Sequence, residues 1–233
     1  MKVVILAGGF GVRLSEYTKT IPKPMILICG KPIIFYIMNF YAKHGFKDFY
    51  IALGYKGNII KKFFKKNSYN WNINLIDTGN KTMTGGRLKR LSKYLGDEAF
   101  MMTYGDGLSN VNLKKLLRFH KKNKKLVTLT AVRPPARFGG LKFKGNVVSY
   151  FKEKSKVDEG WINGGFFVME PEFLGYIKSD KTYLEREPLE NATRKKQLAA
   201  FKHEDFWQCM DTKRDKDILE KTLKQKKYKK IFE

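Results

Sequence analysis

The sequence predicts an α/β fold: a mostly parallel β-sheet flanked by helices, with a small antiparallel insertion. Three observations predict it. Strand-like and helix-like segments alternate with short connections from the N-terminus to Val132. The first apolar run, Val3 to Leu6, feeds a glycine-rich turn, Ala7-Gly8-Gly9-Phe10-Gly11. After Pro134-Pro135 the character changes to short β-like runs separated by turns.

Each element has its own signal. Val3 to Leu6 is short, apolar and β-branched, the pattern of a strand buried on both faces. Lys31 to His44 places Ile33, Ile37, Phe40 and Tyr41 on one helical stripe, and Gly45 stops it. Phe49 to Leu53 reads as a strand, followed by a Lys-rich helix to about Lys66 and a strand at Ile73 to Ile76. Thr84 to Leu95 is a helix that opens with two glycines, and Ala99 to Tyr104 a strand ending in Gly105-Asp106-Gly107. A helix from Asn112 to about Lys122 and a strand from Leu126 to Val132 complete the alternating part. Leu141 to Phe143, Val147 to Lys152 and Gly164 to Met169 read as antiparallel strands. Helical stretches are expected at Pro171 to Ile177 and Glu185 to Lys196, a strand at Leu198 to Phe201 and a final helix after Asp211. The chain reads as one domain, 1–233: a core over about 1–132, a lid portion over about 133–200, and a C-terminal strand and helix over about 201–233.

The 233 residues are 42% hydrophobic and 14% aromatic, enough apolar material for a core, which excludes wholesale disorder. Lys+Arg 47 against Asp+Glu 22 gives a formal charge of +25. The excess is lysine, 38 against 9 arginines, so part of it is compositional. Such a charge concentrates anions: nucleotides, sugar phosphates, nucleic acid or acidic lipid. The basic residues are scattered, with runs only at Lys61 to Lys66, Lys121 to Lys125 and Lys221 to Lys230, which argues against a nucleic-acid partner. Cys29 and Cys209 have no zinc or disulfide spacing, and no stretch approaches the ~20 apolar residues of a membrane span. The N-terminal apolar run is too short for a signal peptide, so the expectation is a cytoplasmic protein without a membrane partner.

Two motifs carry chemistry. In Leu6-Ala7-Gly8-Gly9-Phe10-Gly11-Val12-Arg13-Leu14, glycines after a buried strand let backbone N–H groups approach an anion, and Arg13 adds a fork of donors for phosphate oxygens. It is neither a Walker loop nor the dinucleotide fingerprint, and on local grounds a structural turn is the competing reading. Pro22-Lys23-Pro24 fixes the backbone on both sides of one lysine; alone, this is equally a rigid loop with an incidental lysine. Taken together, the two motifs resemble the signature of sugar-1-phosphate nucleotidyltransferases. Thr84-Gly85-Gly86-Arg87, Thr103-Tyr104-Gly105-Asp106-Gly107, Arg137-Phe138-Gly139, Ile162-Asn163-Gly164-Gly165 and Trp207-Gln208-Cys209-Met210-Asp211-Thr212 resemble its glucose-1-phosphate cytidylyltransferase branch.

The resemblance implies a Rossmann-like nucleotidyltransferase domain with a sugar-binding insertion. It also implies that a sugar 1-phosphate attacks the α-phosphorus of CTP in line and expels pyrophosphate, giving a CDP-sugar, CDP-glucose first. It assigns Leu6, Ala7, Gly8, Gly9, Gly11, Arg13, Thr84, Gly85, Gly86 and Asp106 to the nucleotide, with Arg87 against base and ribose. Arg13 and Lys23 take the catalytic roles; Lys23, Glu153, Lys154, Asn163 and Gly164 face the sugar phosphate; Asp106 and Asp211 hold magnesium. On residues alone, Gly-Asp-Gly after a strand is also a turn, and Asp211 is also an N-cap acid. Tyr104, Trp161 and Trp207 are candidates for pocket or core, and His44, His120 and His203 have no site spacing. The chain departs from the family pattern at Val12, usually Thr, at Ser155, usually Pro, and in a short stretch between Phe64 and Asp77. The last bears on base choice and on the homo-oligomer the resemblance allows. The alternatives are another sugar or polyol phosphate, another NTP, and an inactive nucleotide-sugar-binding homologue.

Overall fold

The computed structural model describes residues 1–134, 140–152 and 160–233. Its elements follow in chain order: β1 (Lys2–Leu6), α1 (Ser15–Thr18), β2 (Leu27–Ile28), β3 (Lys31–Pro32), α2 (Ile33–Lys43), β4 (Asp48–Leu53), α3 (Gly57–Lys66) and β5 (Asn72–Asp77). Then come α4 (Thr84–Leu95), β6 (Phe100–Tyr104), β7 (Gly107–Ser109), α5 (Leu113–Asn123), β8 (Val127–Val132), β9 (Gly140–Lys144), β10 (Val147–Lys152) and β11 (Ile162–Met169). The chain closes with α6 (Glu187–Arg194), β12 (Leu198–His203), β13 (Trp207–Cys209), α7 (Lys213–Leu223) and α8 (Lys226–Phe232). Short 3₁₀ segments cover Val12–Leu14, Lys23–Met25 and Pro171–Tyr176.

The central sheet has seven strands in the order β12-β8-β11-β6-β1-β4-β5. All its pairings are parallel except those of β11, which runs antiparallel to both β6 and β8. The expected mostly parallel sheet is therefore present, and β9 with β10 forms a separate antiparallel ribbon. The strand expected from Gly164 begins at Ile162 and lies inside the main sheet.

Alternate residues of each inner strand feed two cores, one per face. Val3, Ile5, Phe49, Ile51, Met101, Phe166 and Val168 pack with α2 and the C-terminal helices. Val4, Leu6, Ala52, Phe100, Met102, Phe167 and Met169 pack with α4, α6 and the 171–176 turn. Burial on both faces is why these strands read as unbroken apolar runs rather than alternating ones.

Where sequence and structure differ, the differences are local. Lys31 and Pro32 pair with β2 and not with the helix that follows. The expected final helix is two, α7 and α8, and Phe232 of α8 is fully buried. In the short stretch after α3, Tyr69 and Trp71 stack with ring centroids 4.5 Å apart and lean on Phe35.

Candidate active site

Parallel strands bring the loops after β1, β4 and β6 to one sheet edge, the place where open α/β sheets bind ligands. Because β11 is antiparallel, its first residues arrive at that edge, with Ile162 opposite Val132 and Phe166 opposite Thr103. Asn163 and Gly164 are thus set beside Tyr104.

Two adjoining cavities open there. The first, about 370 Å³, is lined by Leu6 through Arg13, Lys23, Thr84, Arg87, Tyr104 and Asp106, with Asn80, Thr82, Met83 and Tyr183 opposite. The second, about 400 Å³, is lined by Asn163, Gly164, Glu185, Trp207, Cys209 and Asp211 among others. Arg13, Tyr104 and Asp106 belong to both.

At their junction Lys23 donates to Asp106 Oδ2 at 2.6 Å and to Asp211 Oδ1 at 2.6 Å. Arg13 Nη1 donates to the other Asp211 oxygen at 2.7 Å. The Pro22–Pro24 frame and the 23–25 turn hold Lys23 with its side chain only 11% exposed. Burial pulls its pKa down, but Asp106 and Asp211 outweigh this and raise it above the ordinary lysine value. Burial likewise pushes the Asp211 carboxyl up, and Lys23 and Arg13 overcome it, holding that group below its ordinary value.

Two local devices make Asp106 and Asp211 converge. β13 pairs with β7, placing Cys209 opposite Gly107, and the Met210 amide donates to the Asp106 carbonyl at 2.8 Å. Thr212 caps α7 in a reciprocal box with Asp215, so Asp211 is not the cap and its carboxylate faces the cleft. Among the described residues no group of three or more acidic, His or Cys side chains is set for a metal. The donor set of two carboxylates suits a hard cation that keeps waters and takes phosphate oxygens, which is the habit of magnesium.

Other sequence-assigned residues land elsewhere. Gly85 and Gly86 do not line either cavity. A Cβ on Gly85 would press the Thr182 carbonyl and one on Gly86 would overlap the Asp180 backbone, so both glycines permit close helix–loop packing. Arg87, expected against base and ribose, reaches the cavity wall but is spent on backbone. It is 3% exposed and donates to Leu53 O, Thr78 Oγ1, Gly79 O and Gly8 O at 2.7–3.0 Å. Burial lowers its pKa despite Asp77. Glu153, Lys154 and the Arg137-Phe138-Gly139 motif lie outside the described residues. Trp207 Nε1 donates to the Gly164 carbonyl at 2.7 Å, and Trp161 lies between Arg133 and Lys202 rather than in a cavity. His120 is buried between Thr128 and Glu170.

Sequence reasoning missed Glu185. Its Oε1 accepts from Tyr104 at 2.6 Å and its Oε2 from Thr84 at 2.7 Å, tying the two cavities together. Burial first, then the Glu185 charge, pushes the Tyr104 phenol up. The position, just before a helix, carries no local signal. Cys209 also lines the second cavity; burial and then Asp211 push its thiol up to about 12, which disfavours the thiolate.

The chain is similar to known proteins. The chain is 47% identical to the glucose-1-phosphate cytidylyltransferase of Salmonella typhimurium, covering 94% of this chain and 95% of that one. It is 40% identical to a probable glucose-1-phosphate cytidylyltransferase of Bacillus subtilis, covering 94% of each. Among solved structures, HddC from Yersinia pseudotuberculosis superposes with a TM-score of 0.77 at 26% identity, over 96% of this chain and 99% of that one. The nucleotidyl transferase family model matches residues 2–226. With that match running over the glycine loop, Lys23, Asp106 and Asp211 alike, the chain belongs to the nucleotidyl transferase family.

Proposed function

We propose that this protein condenses CTP with α-D-glucose 1-phosphate to give CDP-glucose and pyrophosphate. The observation that carries the reading is Lys23 held between Asp106 and Asp211 where the two cavities meet. The relatives named as glucose-1-phosphate cytidylyltransferases support the choice of base and sugar.

The glycine-loop cavity takes the nucleotide, with the N–H groups of Gly8, Gly9 and Gly11 and the Arg13 guanidinium toward the triphosphate. Gly9 has open space where a Cβ would fall, and Gly11 adopts φ 65°, so the loop presents backbone rather than side chains to the anion. The second cavity takes the sugar, with Asn163, Gly164 and Glu185 offered to its hydroxyls. A phosphate oxygen of the sugar phosphate attacks the α-phosphorus and the bond to the departing pyrophosphate breaks. The protein's work is positioning and charge neutralisation. Lys23 lies where negative charge gathers between the two reactants, and Arg13 steadies the leaving group. Asp106 and Asp211 would hold magnesium, which when bound polarises phosphate oxygens and screens their charge.

The test is pyrophosphate release with magnesium, each NTP and a panel of sugar 1-phosphates. Release greatest with CTP and glucose 1-phosphate is expected. A different best pair would move the specificity assignment while keeping the chemistry, and no release from protein that still binds nucleotide would establish an inactive homologue.

A further inference from the structure

The Asp106–Asp211 pair is filled by the protein itself. The Lys23 ammonium lies 2.6 Å from an oxygen of each carboxylate, and Arg13 takes the remaining oxygen of Asp211 at 2.7 Å. Asp211 therefore has both oxygens engaged by cations, and two positive groups balance two negative ones. A divalent ion bound to both carboxylates needs their oxygens at ~2.0–2.1 Å, in the gap the ammonium now closes. The ammonium and a divalent ion would compete for the same Asp106 Oδ2 and Asp211 Oδ1 and repel each other as like charges.

The backbone that carries Lys23 is fixed. Prolines flank it, Met25 N donates to Pro22 O and Ile26 N to Lys23 O, and the side chain is largely buried. The first cavity, which Lys23 also lines, is where a triphosphate would supply another anion for its ammonium. A lone divalent ion would bring two uncompensated charges beside Lys23 and Arg13. A metal–triphosphate complex brings its own negative charge.

We infer that Lys23 is an internal counter-ion that keeps divalent metal out of the Asp106–Asp211 pair until a nucleoside triphosphate arrives, so that metal and nucleotide enter together. The inference rests on the reading of that pair as the metal site. It gives Lys23 a role before nucleotide binds, separate from its role during transfer.

The experiment is Mn²⁺ binding without nucleotide, followed by the free-Mn²⁺ electron paramagnetic resonance signal. Lys23→Met, with folding checked by circular dichroism, should bind Mn²⁺ at least about tenfold more tightly than wild type. Lys23→Arg, which keeps the charge, should stay as weak as wild type, and Asp106→Asn added to Lys23→Met should abolish the gain. Lys23→Gln replaces the methionine variant should that one not fold. Equal Mn²⁺ affinity in wild type and Lys23→Met overturns the inference. If Mn²⁺ then binds wild type with CTP in an Asp106-dependent manner, the metal-site reading survives and only the counter-ion role is lost. If Asp106→Asn and Asp211→Asn alter neither measurement, both fall together.

Discussion

Arg87 donates through Nη2 to the carbonyl of Gly8 at 2.8 Å, and a Cβ on residue 8 would fall on its guanidinium. The first glycine of the loop is therefore required by an arginine from α4, whatever binds in the cavity. The same side chain reaches Leu53 O at the end of β4 and Gly79 O beyond β5, so one buried cation fastens three loops at the site edge.

Arg87→Met should then lower stability by about 3 kcal/mol, because several buried acceptors lose their donor at once. Urea unfolding of the variant measures this. Unchanged stability with weakened CTP binding would return Arg87 to a ligand role.

The glycines should separate by function. Gly86→Ala forces a methyl into the Asp180 backbone and should cost about 1–3 kcal/mol in unfolding free energy. Gly9→Ala meets nothing within 4 Å and should leave stability within about 0.5 kcal/mol while weakening CTP binding. Thermal midpoints with and without CTP give both readouts.

Asp106→Asn should reduce kcat by about a hundredfold or more while the melting profile stays that of a folded protein. Full activity in that variant would remove Asp106 from the transfer step.

Glu185→Gln keeps the shape but removes the charge and weakens the bond from Tyr104 or Thr84. Its KM for the sugar phosphate should rise about tenfold with little change for CTP. A change confined to CTP would place Glu185 on the nucleotide side.

The Lys23–Asp211 pair gives stability a defined pH window. Asp211 has its pKa lowered from 3.8 on folding, so its contribution is present above 3.8 and is lost as pH falls through the lowered value. Lys23 has its pKa raised from 10.5, so its contribution is present below 10.5 and is lost as pH rises through the raised value. The stability difference between wild type and Asp211→Asn should hold steady between those two ordinary values and shrink on the acid side. Urea titrations across that range and below 3.8 measure it.

The order and nature of the main elements, the parallel character of the sheet and the two motifs at 6–14 and 22–24 are legible in the chain alone. Apolar runs such as Val3–Leu6 and Phe100–Tyr104 are legible because burial on both faces leaves no alternation to misread. The helix start at Asn112 is legible because its side chain caps Lys115 N within the same segment. These signals are local, and local chemistry is what a single chain displays.

What depends on distant segments meeting shows only in the folded chain. The three-residue strands β7 and β13 have no periodicity to read, yet their pairing brings Asp211 to Asp106 and Lys23. The packing role of Gly85 and Gly86 shows only once the 180–184 backbone is seen against them. Arg87 is expected against base and ribose, and its bracing contacts show only where the carbonyls of Gly8, Leu53 and Gly79 converge on it. Glu185 has no motif at all, because its partners Tyr104 and Thr84 come from elements far away in sequence. A residue's type fixes what it can bond to, and the fold fixes which partner reaches it first.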